Sequence, residues 1–421
     1  MMINETPYPR LGEVVHFVTH AFGLFDDEDQ LSQRLNRFAQ DSDFNLATAN
    51  RLIEEALLIP LRRVDPAAAI LVENWLTQLL EDYKTLVLTV PEDVADRSTL
   101  LRILPYELFI PRTLLFLNQL PVSPDVSRWF EPIDTTAIEE VLSWWRLHHG
   151  VSEQEWVDLI GHHYDIDETE SRDLLTCWQK DHTLLDIHSL LDFKVAGKPE
   201  IRHLVLWLIF AKAWEYTLQS VGKRFGYEAT WSFTEIVQAV YQEQLTGFRP
   251  EPADVQATLL SEINELDNMS DLRDSFKKHW LWPLSEISLT QEKVAGDQKR
   301  AHATLKRIEQ HALFPHFRYR VEQGWGRYYA LCADYEAAFK HYQKAVEHGV
   351  YRAGPFLREI LRELLMLAVF LDEPSIINRY YRWACVMGLF SGKDIAPENW
   401  EIKSLRKAFL NEFPLAGLYQ G

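Results

Sequence analysis

Cysteine is scarce: three residues in 421, at positions 177, 332 and 385. Any disulfide scheme leaves one over, and no two stand at metal-ligand spacing. The expectation is a reducing compartment in which they act as small, largely apolar side chains. Uninterrupted apolar runs are also missing. The most apolar segment, 203–221, carries Lys212 and Glu215 and is broken too soon to span a bilayer, so no membrane partner is expected. The first residues hold Glu5 and Pro9 and no basic stretch leading into an apolar run, so a secretory leader is not predicted and a cytoplasmic location is expected. Catalytic signatures are absent as well. No glycine-rich phosphate loop ends in Lys-Ser/Thr, and Gly222-Lys223 and Gly392-Lys393 lack the earlier glycine such a loop needs. GxSxG and HExxH are not found. These gaps lean against an enzyme without excluding one, and no cofactor is expected.

Positive charge is thin over most of the chain. The net charge is −19, from 43 Lys and Arg against 62 Asp and Glu. Residues 301–421 hold 16 of the basic and 13 of the acidic groups, which leaves 27 against 49 in the first 300. An acidic two thirds repels nucleic acid and acidic membranes, so a nucleic-acid partner is not expected. Acidic helix surfaces that keep the protein dissolved are one account of this. Mimicry of nucleic acid toward a basic partner is another.

What the sequence has in plenty is helix signal. Fourteen Trp among 47% apolar residues argue for large buried contacts. Amphipathic spacing predicts helices over 27–40 and 45–58, and another starting at Pro66 after Asp65. Residues 85–90, TLVLTV, read as an extended segment or strand. Prolines 91, 105, 111, 121 and 124 then allow only short helices, over 98–104 and 113–120. Capping pairs Thr136/Glu139, Ser152/Glu155 and Ser232/Glu235 predict further helix starts. Breaks at 132–136 and 247–252 divide the chain into an N-terminal helical region (1–132), a middle His/Trp-rich helical region (133–248) and a C-terminal helical region (253–421). Trp207, Phe210, Trp214 and Leu218 form a core stripe, and Trp144–Trp145 reads as one core and one inter-helix residue. The predicted class is all-α.

The densest pattern lies over 319–348. Trp325, Gly326 and Tyr329 share one helix face, a short turn follows at 333–335, and Ala338, Tyr342 and Ala345 form the facing stripe. Order and spacing resemble a tetratricopeptide repeat. The proline expected near the end of the second helix is replaced by Val350. A fainter copy runs through Leu365, Ala368, Ile377, Tyr381 and Ala384, displaced by 39 residues rather than 34, with the surplus assigned to 349–354. The resemblance covers roughly a fifth of the chain and implies stacked helical hairpins, a short α-solenoid. It further implies that the first helix of each hairpin lines a concave surface. The groove positions would then be Arg320, Gln323 and Arg327, and Glu359, Arg362 and Met366 in the fainter copy. Arginines facing one groove suit an acidic peptide or tail of another protein. The alternative is that they pair with Glu322, Glu359 or Glu363.

The leading functional expectation is therefore a non-enzymatic adaptor or regulatory subunit. An enzyme or metal-binding protein is the alternative, centred on the His-rich segment where six of the fifteen His fall within residues 148–188. There Asp158 and His162, four apart, could share a helix face as metal ligands.

Overall fold

The computed structural model describes residues 8–25, 30–41, 44–89, 97, 100, 109–117, 119–120, 124–130, 136–150, 152–180, 199–226, 233–235, 237–239, 241–242, 291–311 and 314–389. Among these the fold is all-α, with no strand. The helices are α1 (Leu11–Phe22), α2 (Gln30–Gln40), α3 (Leu46–Ile53), α4 (Ile59–Val64), α5 (Pro66–Thr89), α6 (Ile110–Leu117), α7 (Ala137–His149), α8 (Glu153–Tyr164), α9 (Glu168–Lys180), α10 (Pro199–Phe225), α11 (Gln291–Ile308), α12 (Phe314–Leu331), α13 (Tyr335–Gly349), α14 (Phe356–Phe370) and α15 (Pro374–Val386). Among the described residues no helix is long and apolar enough to cross a membrane.

Helix starts follow their side chains. Asp65 Oδ1 accepts from the Ala67 and Ala68 N–H groups at 2.9 and 3.1 Å and opens α5 ahead of Pro66. Thr136 caps α7 at the Glu139 N–H, and Ser152 and Glu155 form a reciprocal box at the head of α8. Ser232 and residues 98–99, 101–104 and 247–252 lie outside the described set. The predicted 113–120 helix is α6, shifted back so that Pro111 sits near its start, where a missing N–H costs nothing.

Residues 85–89 correct the sequence reading. They complete α5 and do not form a strand. Leu79, Tyr83, Leu86 and Val87 are buried at helical spacing. The Thr85 and Thr89 hydroxyls donate to the carbonyls of Glu81 and Thr85, four residues back, at 2.8 and 2.7 Å. A threonine that returns its hydroxyl to the helix loses its reason to favour a strand. Between α3 and α4 the chain widens into one π turn, Glu54–Leu58, just ahead of Pro60. Proline has no N–H to give and its ring crowds the carbonyl four residues back, so a wider turn accommodates it.

α1 packs on α2, α3 and α10, and α10 packs on α7. Two buried charges on α10 explain why so apolar a helix is not uniformly so. Glu215 Oε1 accepts from the Ala137 N–H at 2.7 Å, at the N-terminus of α7. The Lys212 ammonium covers Gly23, which ends α1 in the left-handed conformation (φ 58°); a Cβ there would lie 2.8 Å from Nζ. Each charge thus meets the helix end whose dipole it complements.

From α11 to α15 each helix packs on the next. The two tight turns are closed alike. Ala333 (φ 58°) and Asp372 (φ 60°) are left-handed, and the Asp334 and Glu373 N–H groups both donate at 2.9 Å, to the Tyr329 and Ala368 carbonyls. The same geometry recurs 39 residues on, the displacement seen in the sequence. Ala338, Tyr342 and Ala345 are fully buried, and Ile377, Tyr381 and Ala384 are buried too.

One buried cluster runs from Tyr8 to Leu389. The C-terminal helices join it through the 349–354 connection, which the sequence reading treated as a site for surplus residues. There Tyr351 is buried and its hydroxyl accepts from the Leu11 N–H at 3.1 Å. Phe44 stands between the rings of Tyr83 and Tyr351, 6.3 and 5.7 Å between centroids. Trp383 Nε1 donates to the Phe44 carbonyl at 3.2 Å.

Candidate functional site

α12 and α14, the first helices of the two hairpins, are tied together by Glu363. This carboxylate is 2% exposed, and every other buried residue of α14 is apolar. Gln323 Nε2 donates to its Oε1 at 3.0 Å, and Arg327 Nε donates to both its oxygens at 3.2 and 3.0 Å. Arg327 also reaches Glu359 Oε1 at 2.5 Å. Burial opposes the charged form of Arg327, but the charge and hydrogen bonds of Glu363 outweigh it and hold the guanidinium above its ordinary pKa.

This corrects part of the predicted groove. Gln323 is buried, Met366 is buried, and the Arg327 donors are taken up inside the protein, because the two helices approach closely enough to share a carboxylate. The pairing alternative holds for Arg327. Arg320 and Arg362 are half-buried; the Arg320 guanidinium lies 3.7 Å above the Phe356 ring, so its planar face is stacked. The face between α12 and α14 therefore presents Arg320, Glu359 and Arg362 over a neutralised floor of Gln323, Arg327 and Glu363.

On α13 a second set of polar groups converges. His341 Nδ1 is 2.7 Å from Glu322 Oε2, and the His341 ring stacks on Tyr329 at 5.1 Å. Burial favours neutral Glu322, but the hydrogen bond and charge of His341, then Lys344 and Arg318, hold its carboxyl below the usual range. Beyond it, His348 is pushed down to about 4, by burial first and then by Arg318, Arg352 and Lys344, with Glu322 opposing. Apart from Glu322, named as a pairing partner, the sequence reading singled out none of these. The signal was there, since His341, Lys344 and His348 recur at i, i+3 and i+7.

The His-rich segment does not assemble a metal centre from its described members. Asp158 accepts from Gln154 Nε2 at 3.0 Å and His162 is exposed. No three His, Cys, Asp or Glu side chains among the described residues could hold an ion. Trp145 instead packs on Trp156 at 4.9 Å, both buried, and Trp144 stacks on His148 at 5.7 Å. His182 and His188 lie outside the described residues. The chain was compared with protein-family models, curated proteins and solved structures, and none of them matches it.

Proposed function

We propose that this chain is a non-enzymatic interaction protein, an adaptor or regulatory subunit. In this reading it binds another protein through the tetratricopeptide-like hairpins α12–α13 and α14–α15. The observation that carries the reading is the side-chain link between α12 and α14 made by the Gln323–Glu363–Arg327 bonds. That link gives two successive first helices a rigid common face. A rigid face loses little freedom on binding, which favours recognition of an extended segment. Arg320 and Arg362 are the donors of that face, and an acidic peptide or tail is the partner chemistry they suit. Arg327 and Gln323 serve it from beneath by fixing the floor.

The test is capture with the full-length chain, followed by binding of the purified partner. Arg320→Glu combined with Arg362→Glu is expected to lose the partner by tenfold or more while keeping the wild-type circular dichroism spectrum. A partner retained at full affinity by that folded double variant overturns the reading.

A further inference from the structure

Arg320 is held in place without being paired. Its guanidinium lies 3.7 Å above the half-buried ring of Phe356, the first residue of α14. Among the described residues it makes no hydrogen bond, no ion pair and no second ring contact. Nearby arginines differ in this. Arg318 is paired with Glu322, Arg327 with Glu359 and Glu363, and Arg352 donates to the Pro315 carbonyl. Glu359, one turn along α14 from Phe356, is thus taken up by Arg327. Nor does α12 cover Arg320 with its own side chains. A helical side chain leans back over the residues three and four before it, so positions 323 and 324 are the ones that could. Gln323 donates to Glu363 instead, and position 324 is a half-exposed glycine.

A guanidinium recognises in two perpendicular directions. Its faces stack on rings, and its edge donates paired N–H groups to oxygen. Phe356 occupies one face of Arg320. We propose, on the reading that an acidic peptide of another protein binds this surface, that the acidic residue of that peptide stands next to an aromatic one. The carboxylate accepts two N–H groups at the Arg320 edge, and the aromatic ring closes over the face opposite Phe356, where Gly324 leaves room. Arg320 then selects its partner by ring as well as by charge. An aliphatic neighbour buries area on the same face but has no negative ring face to offer the cation. One unpaired cation matches one carboxylate, whereas a phosphate dianion brings a second negative charge toward the exposed Glu359.

The experiment is calorimetric titration of the full-length chain at pH 7.5. The probes are four end-capped peptides of one Gly-Ser sequence, with Asp-Phe, Asp-Leu, Asn-Phe or Asn-Leu at the centre. The Asp-Phe peptide is expected to saturate one site and to bind about fivefold or more tighter than Asp-Leu. Arg320→Lys keeps the charge and loses the flat face, so it should retain the preference for Asp over Asn and lose that for Phe over Leu. Gly324→Leu sets a side chain over Arg320 and should also remove the preference for Phe, with the circular dichroism spectrum of the wild type. Arg382→Lys, at an exposed position of α15, should keep both preferences. Equal binding of the Phe and Leu peptides, or a preference for Phe that survives Arg320→Lys or Gly324→Leu, overturns the aromatic inference and leaves the acidic-peptide reading standing on Asp over Asn. Equal binding of the Asp and Asn peptides, or no saturable binding of Asp-Phe, overturns both.

Discussion

A Cβ added at Gly326 would sit 3.0 Å from the Cγ, Cδ2 and Cε2 atoms of Tyr342, a ring with no exposed surface. Helix propensity alone would make Gly326→Ala stabilising by about 0.5–1 kcal/mol. The ring cannot retreat into a packed core, so overpacking wins and a net loss of about 1–3 kcal/mol is expected in denaturant unfolding. His348 sets a different residue-scale expectation. Its folded-state pKa of about 4 lies below its ordinary value of 6.5, so the unfolded chain binds the proton more readily. Its contribution is therefore fully present above about pH 6.5 and is lost as pH falls toward 4. The group is part-exposed, so the slope falls well short of the limiting ~1.4 kcal/mol per pKa unit. Melting temperatures of wild type and His348→Gln between pH 7 and 5 should converge as the wild type loses its advantage.

At the scale of elements, the hairpins depend on one shared carboxylate. Glu363→Ala leaves the Arg327 guanidinium with only the exposed Glu359 as its ion-pair partner, and a cost of about 1–3 kcal/mol is expected in urea unfolding. Glu363→Leu with Arg327→Met removes both charges and should recover most of that. How much of this was legible depends on the reach of the contact. The stripes Ala338/Tyr342/Ala345 and Ile377/Tyr381/Ala384 follow the helical period, so the sequence displays them. The TLVLTV segment displays strand-forming residue types, but the period of α5 continues through it and prevails. Lys212 and Glu215 look like interruptions of a helix until the ends of α1 and α7 stand beside them. Gln323 and Arg327 looked exposed because a single helix face says nothing about what a second helix, some 36–40 residues on, brings against it.

For the molecule as a whole, the buried cluster reaching from Tyr8 to Leu389 includes Tyr342 of α13, Leu361 of α14 and Tyr381 of α15, while Leu305, Ile308, Phe317, Val321 and Trp325 form a smaller cluster of their own between α11 and α12. Heat unfolding of the full chain is expected as one cooperative calorimetric transition spanning both ends. A separate transition for the hairpins would contradict this. Tyr351→Phe leaves the Leu11 N–H without its acceptor and should cost about 1–3 kcal/mol, read as a lower midpoint for that same single transition. The hydrogen bond it removes joins residues 340 apart. That separation has a meaning on the ribosome. Translation proceeds at roughly 5–20 residues per second, so α1 waits on the order of 17–70 s before Tyr351 exists to meet it. Throughout that interval the apolar face of Leu11, Val15 and Phe22 lacks part of its eventual cover. A helix made early is thus completed late, and the nascent chain is expected to need chaperone protection until Tyr351 emerges.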